Sequence, residues 1–240
     1  MDAFRQGDYV EAERLLKAAI KEAEKFGPQD VRLAASLHEL GILYSRQGKY
    51  REAEPLYRRA LAIREKALGP NHPDVARTLD YLAWLYTDYT DEKKCAEAEL
   101  LRKRSLAIRE KALGPDHRDV VISLNYLAGL YIHEKKYPEA EPLLKRALAI
   151  NERASGPNHP DVANSLYNLA RFYEDQKKYQ EAEPLYMRIL AILEKALGPN
   201  HRNVADALES YAGLLRSTNR TAEAEKLEAR AKTIMAKQGY

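Results

Sequence analysis

Apolar residues recur along this chain at helical spacing, in short stripes that stop and restart. Leu37, Leu40, Gly41 and Tyr44 fall at i, i+3, i+4 and i+7, one face of a helix. Gln47-Gly48-Lys49 interrupts the stripe. A second one then runs through Ala53, Leu56, Tyr57, Ala60, Leu61 and Leu68. Gly69 falls where a helix end favours positive φ, and Pro70 cannot continue the helix. Pro73 suits the first turn of the next helix, where its missing N–H costs nothing, and Asp74 suits the positive helix start. The pattern predicts a pair of helices.

That pair recurs. Gly-Pro stands at 27, 69, 114, 156 and 198, at intervals of 42, 45, 42 and 42 residues. The stretch from Gly69 to Ala76 returns unchanged from Gly156 to Ala163, and that from Ala60 to Leu68 returns nearly intact at 105–113. Small residues stand where paired helices must approach: Gly41, Ala83, Ala128, Ala170 and Ala212 in the first helices, Ala53, Ala98, Ala140, Ala182 and Ala224 in the second. Tyr44, Tyr86, Tyr131 and Tyr173 fill the space between. Pro138 suits a helix start, whereas Pro55, Pro142 and Pro184 fall beyond the first turn and should cost a hydrogen bond or bend the helix. No single pair can bury its stripe alone, so neighbours must stack. One all-α domain follows: an incomplete unit at 1–26, then repeats at 27–68, 69–113, 114–155, 156–197 and 198–240.

Three places break the regularity. Gly7-Asp8-Tyr9 and Ala12 match Gly48-Lys49-Tyr50 and Ala53, so residues 8–26 are a second helix without its first. Its open stripe is expected to be covered by chain lying upstream or by an oligomer. The last unit has Thr221 and Glu228 where Tyr50 and Tyr57 stand, as a terminal repeat facing water requires. Repeat 2 carries three extra residues around Tyr89, with Cys95 at the Tyr50 position and Arg102 at the Tyr57 position. The insert is either drift in a loop or a bulge that shapes a binding site.

Composition narrows the function. Charged residues make up 31%, more than one deep globule would carry, but the net charge is only +3 with both signs interspersed. That argues against a nucleic-acid partner, which would call for a basic face. A single cysteine excludes a disulfide within the chain. No apolar run approaches the roughly 18 residues of a membrane helix, and the first residues hold no signal-peptide core. A reducing, cytoplasmic setting is expected.

The motifs point to a family. Leu40-Gly41-x-x-Tyr44, Gly48-x-Tyr50-x-x-Ala53, Tyr57 and Ala60 resemble the tetratricopeptide pattern. The 42-residue unit, with Ala-Glu-Pro-Leu-Tyr and Gly-Pro-Asn-His-Pro-Asp-Val-Ala, is similar to the variety found in kinesin light chains and many bacterial proteins. The resemblance covers essentially the whole chain. It implies a right-handed superhelical α-solenoid of about eleven helices, a protein-interaction role without catalysis or cofactor, and a concave groove lined by the first helices.

A second stripe, offset from the packing stripe, marks that groove. It contributes His38, Ile42 and Arg46 in repeat 1, and Arg77, Asp80, Trp84 and Asp88 in repeat 2. Repeat 3 supplies Ile122, Asn125, Ile132 and His133, repeat 4 Asn164, Tyr167, Arg171, Glu174 and Asp175, and repeat 5 Asp206 and Glu209. These positions vary while the packing positions hold steady, as a partner-reading surface would. Trp84 is the only tryptophan, and large aromatics dominate interface hot spots. Acids gather toward repeats 4 and 5, so an extended or helical peptide with apolar anchors and a basic end is expected. An acidic tail held by Arg46, Arg77 and Arg171 is the other option, and a structural or oligomerising spacer is the competing role.

Chemical motifs are lacking. His72, His117, His159 and His201 recur one repeat apart, too far to share a metal with ligands near 2 Å, which leaves them a loop or helix-start role. There is no His-Glu-x-x-His, phosphate loop or Gly-x-Ser-x-Gly. Cys95 replaces a packing tyrosine and reads as a buried thiol.

Overall fold

The computed structural model describes residues 9–87 and 92–237. Over these the chain forms eleven α-helices: α1 (Tyr9–Glu24), α2 (Val31–Arg46), α3 (Tyr50–Leu68), α4 (Pro73–Thr87), α5 (Glu92–Leu113), α6 (Arg118–His133), α7 (Tyr137–Ser155), α8 (Pro160–Asp175), α9 (Tyr179–Leu197), α10 (Arg202–Ser217) and α11 (Thr221–Lys237). Two compact units divide them, residues 1–115 with α1–α5 and residues 116–240 with α6–α11. From α2 onward the described helices pair as the repeat requires, and α1 packs against α2. The Tyr89 insert and Asp88 lie outside the described residues.

Each repeat begins in the same way. At His72, His117, His159 and His201 the imidazole Nδ1 accepts the backbone N–H two residues on, at 3.1–3.2 Å. The recurring histidine is therefore a helix cap, and repeat 1 uses Asp30 in its place, whose Oδ1 accepts the Arg32 N–H at 2.8 Å. The Arg32 side chain and this N–H together hold the Asp30 carboxyl down at about 2. Only a neutral imidazole can serve as this acceptor. Replacing His159 with alanine should cost about 1 kcal/mol and replacing it with asparagine much less, read as a shift in the denaturation midpoint. Equal losses from both would remove the capping role.

The repeats end as regularly. Gly69, Gly156 and Gly198 cap α3, α7 and α9 with φ of 86–89°, a region that side chains with a Cβ avoid. Pro55, Pro142 and Pro184 sit inside those same helices, which continue through them.

Burial follows the small-and-large pattern. All ten of the small positions are buried. Opposite them Tyr57, Leu144 and Tyr186 are at most 3% exposed. Arg102, at the same position of repeat 2, is also buried, at 5% exposure.

Between repeats, two polar rungs reinforce the apolar stack. One joins the tyrosine near the end of a first helix to the glutamate of the preceding Ala-Glu. Tyr44 donates to Glu13 at 3.0 Å and Tyr86 to Glu54 at 2.8 Å in the first unit. In the second, Tyr173 donates to Glu141 at 2.9 Å, and Tyr211, one turn earlier in its helix than the Leu215 that holds the Tyr173 position, donates to Glu183 at 2.7 Å. Burial raises all four phenols, Tyr211 to about 12. The second rung is buried. Arg64 donates to Thr78 Oγ1 at 2.5 Å and to the Asp74 carbonyl, and Asn151 does the same with Ser165 Oγ and the Asp161 carbonyl.

Candidate functional site

The offset stripe does not all reach the surface. Arg46, Arg77 and Trp84 are exposed in the first unit, with Ile42 half-buried. His38 and Asp80 are enclosed, at 0% and 5% exposure, and belong to the interior of their helix pairs rather than to a contact surface. The physical reason lies in their partners. The Asp80 carboxylate meets Arg109 Nη2 of the paired helix at 2.7 Å. The His38 ring stands edge-on to Tyr81 at 4.8 Å and to Tyr57 at 5.4 Å. Among the described residues neither ring nitrogen of His38 has a hydrogen-bond partner, and burial, with Arg64 and Arg77 nearby, drives its imidazole down to about 3. It is therefore neutral at any physiological pH. Asp88 lies outside the described residues.

Around Trp84 the first unit presents an aromatic face. The indole is 42% exposed and stands edge-on to Tyr50, with centroids 6.1 Å apart. Tyr81, one turn earlier on α4, is 36% exposed and stacks on Tyr57 at 5.9 Å. The stripe omitted Tyr81. Its signal in the sequence was proximity alone: it lies between the packing position Leu79 and the surface position Trp84. Arg77, two turns before Trp84 on α4, is exposed, as is Arg46 at the end of α2.

In the second unit three stripe residues come together. Ile122 and Asn125 of α6 and Asn164 of α8 line one cleft of about 520 Å³. Ile122 is 44% exposed within it. The neighbouring Tyr126, at 47%, was also missed by the stripe. Ile132 is half-buried and His133 exposed at the far end of α6. Tyr167 is half-buried and edge-on to Tyr186 at 6.2 Å. Glu174 is committed to structure, accepting the Tyr186 hydroxyl at 2.6 Å, with Arg171 3.9 Å away. Asp175, Asp206 and Glu209 are exposed. None of these later residues lines the cleft.

Among the described residues no helix is long and apolar enough to cross a membrane, and no cluster of His, Cys, Asp or Glu is arranged to hold a metal ion.

Known proteins share this architecture. Models described as tetratricopeptide repeat match residues 33–74 and 75–119, and again 119–195 and 161–237. A crystal structure of BtubC (BKLC) from P. vanneervenii superposes with a TM-score of 0.79 at 23% identity, covering 96% of this chain and 92% of that one. A kinesin light chain-like protein of Podosopora anserina, with nearly identical TPR-like repeats, gives 0.72 at 29% identity, covering 88% and 97%. A nucleotide-binding leucine-rich repeat (NLR)-like protein of Hyaloscypha variabilis is 50% identical over 44 residues, 18% of this chain but only 4% of that far longer relative. These matches span most of the chain, which belongs to the tetratricopeptide repeat family as an all-α protein of the kinesin-light-chain-like type.

Proposed function

We propose that the chain binds a peptide or a segment of a partner protein on its first-helix faces and performs no catalysis. The observation that carries this is the exposure of Trp84 and Tyr81 on a face whose packing residues are otherwise buried. Leaving two large aromatics half in water forgoes burial energy that stacking could have captured. A partner with apolar anchors would recover it, and the exposed Arg77 on the same helix would meet its polar groups. The family match supports a protein partner over a small molecule, and the interspersed charge supports protein over nucleic acid.

Titrating one basic-apolar and one acidic-apolar peptide against Trp84 fluorescence tests this. One of the two should give a saturable change, and Trp84→Ala should weaken its capture at least about tenfold, the loss expected of an interface hot spot. Silence from both peptides would sink the assignment of this face.

One observation favours the spacer role. On α1, Val10 is 81% and Leu15 48% exposed, and Ala19 is exposed where its counterparts Ala60 and Ala147 are fully buried. Light scattering over a concentration series separates the two roles: a tight dimer that binds neither peptide would establish the spacer.

A further inference from the structure

His38 is built into the wall behind the aromatic face of the first unit. Its ring stands edge-on to Tyr57 of α3 and to Tyr81 of α4, which stack on each other, and no part of it reaches water. A polar side chain this deep ordinarily has a hydrogen-bond partner. Neither of its ring nitrogens has one among the described residues.

A second ring proton has no place there. An imidazolium carries two N–H donors and a positive charge. The charges that act on the ring are both of that same sign, Arg64 of α3 and Arg77 of α4. The nearby acids serve other groups. Glu39, next to His38 on α2, and Asp74 of α4 act on Arg64, and Asp80 of α4 is held by Arg109. On its other neighbour, α1, helix α2 meets the apolar Leu16 and Ile20. A protonated ring must therefore leave its enclosure and reach water.

Only one of its two aromatic neighbours is free to let it out. Tyr57 is fully buried, with its hydroxyl 3.3 Å from Ser45 Oγ. Tyr81 is partly exposed and sits one turn before Trp84, on the face assigned above to a partner. Two states follow. In one the imidazole is enclosed and neutral, and Tyr81 stacks on Tyr57. In the other the imidazole is in water, where it takes up a proton below about 6.5, and Tyr81 has moved aside. Acid favours the second state alone, because only there can the proton bind.

We propose that His38 makes the aromatic face acid-sensitive: protonation brings the imidazole out from behind Tyr81, displaces that ring beside Trp84 and so releases a bound partner. The inference rests on the protein-binding reading of this face and supplies its regulation. The direction follows from burial, which sets the enclosed imidazole below its ordinary value. The enclosed state is unpenalised above about 6.5 and loses ground as pH falls from there toward about 3, by about tenfold per pH unit.

Acrylamide quenching of Trp84 in the full chain, without any peptide, tests this between about pH 7.5 and about pH 5. The reference is His38→Phe, which keeps a ring behind Tyr81 and cannot titrate. His38→Asn, the residue that repeat 3 carries as Asn125, replaces it if the phenylalanine variant does not fold. The capping His72 at the head of α4 is present in every variant and cancels in the comparison. Quenching should rise on acidification in the parent and stay level in the reference, with helix content unchanged in both. Over the same range the urea unfolding constant of the parent should rise about thirtyfold relative to the reference. A level response in the parent, or an equal rise in the reference, would overturn the proposal. So would the thirtyfold change beside a silent Trp84, since acid would then act on the whole unit and not on the face. No peptide enters this measurement, so silence from both peptides would sink the partner and leave the acid response standing.

Discussion

Asp80→Ala should destabilise the first unit by about 3–5 kcal/mol, the scale of breaking a buried ion pair from one side. Asp80, Arg102 and Arg109 are 5%, 5% and 8% exposed, so one carboxylate stands among two enclosed guanidiniums. The carboxylate contacts Arg109 at 2.7 Å and is attracted by Arg102 at longer range. Burial nevertheless raises the Asp80 pKa, because desolvation outweighs those attractions. A folded pKa above the unfolded one means that the aspartate's contribution is most favourable below the ordinary carboxylate range, and that this advantage is lost as pH rises through the raised value. Removing the carboxylate alone takes from the enclosed Arg109 the ion pair it holds at 2.7 Å. Removing it together with the Arg109 charge, in Asp80→Leu with Arg109→Leu, should recover most of the loss. Urea denaturation checks both, through a lower midpoint at constant slope for the single variant. A single variant within about 0.5 kcal/mol of the parent would show that Asp80 does not neutralise the site.

The same cluster shows where the sequence was readable. The helix pairs and the small-residue contacts follow from spacing, because packing positions tolerate few residue types and so recur. The capping histidines could be placed at a helix start by their recurrence and their Pro-Asp neighbours. Asp80 and His38 could not be placed by periodicity, since the offset stripe lies at the edge of the buried face. Neighbouring repeats put Asn125 and Glu209 at the same position in partial or full contact with water. What decides the matter is the residue opposite. Arg102 in a tyrosine's place announces a buried charge, and a buried charge demands a nearby carboxylate; read as a pair, the two positions would have withdrawn Asp80 from the binding surface. The cleft was not legible, because no spacing along the chain tells which side chains of α6, α7 and α8 meet around one hollow.

Gly41→Ala should lower stability by about 2 kcal/mol, although alanine is the better helix former by roughly 1 kcal/mol. A Cβ at Gly41 would lie 2.7 Å from Tyr57 Cε1, 2.9 Å from Cζ and 3.0 Å from Cδ1. Relief requires the ring to withdraw, and it has nowhere to go. Tyr57 is fully buried, with His38 edge-on at 5.4 Å, Tyr81 stacked at 5.9 Å and its hydroxyl 3.3 Å from Ser45 Oγ. Overpacking of a closed core costs about 1–3 kcal/mol, and with three ring atoms in conflict the upper part of that range outweighs the propensity gain. Repeat 4 does pair Ala170 with Tyr186, but there the hydroxyl is held at 2.6 Å by Glu174, which stands in Ser45's place, and the ring lies on Tyr211. Repeat 3 combines Ala128 with Leu144, so Tyr57→Leu should rescue Gly41→Ala in part by emptying the contested space. A double-mutant cycle reads this directly: the two changes together should cost less than the sum of their separate losses, by about 1 kcal/mol or more for residues in contact. Additive losses, or a Gly41→Ala protein more stable than the parent, would show that the ring can move and that glycine is not required there.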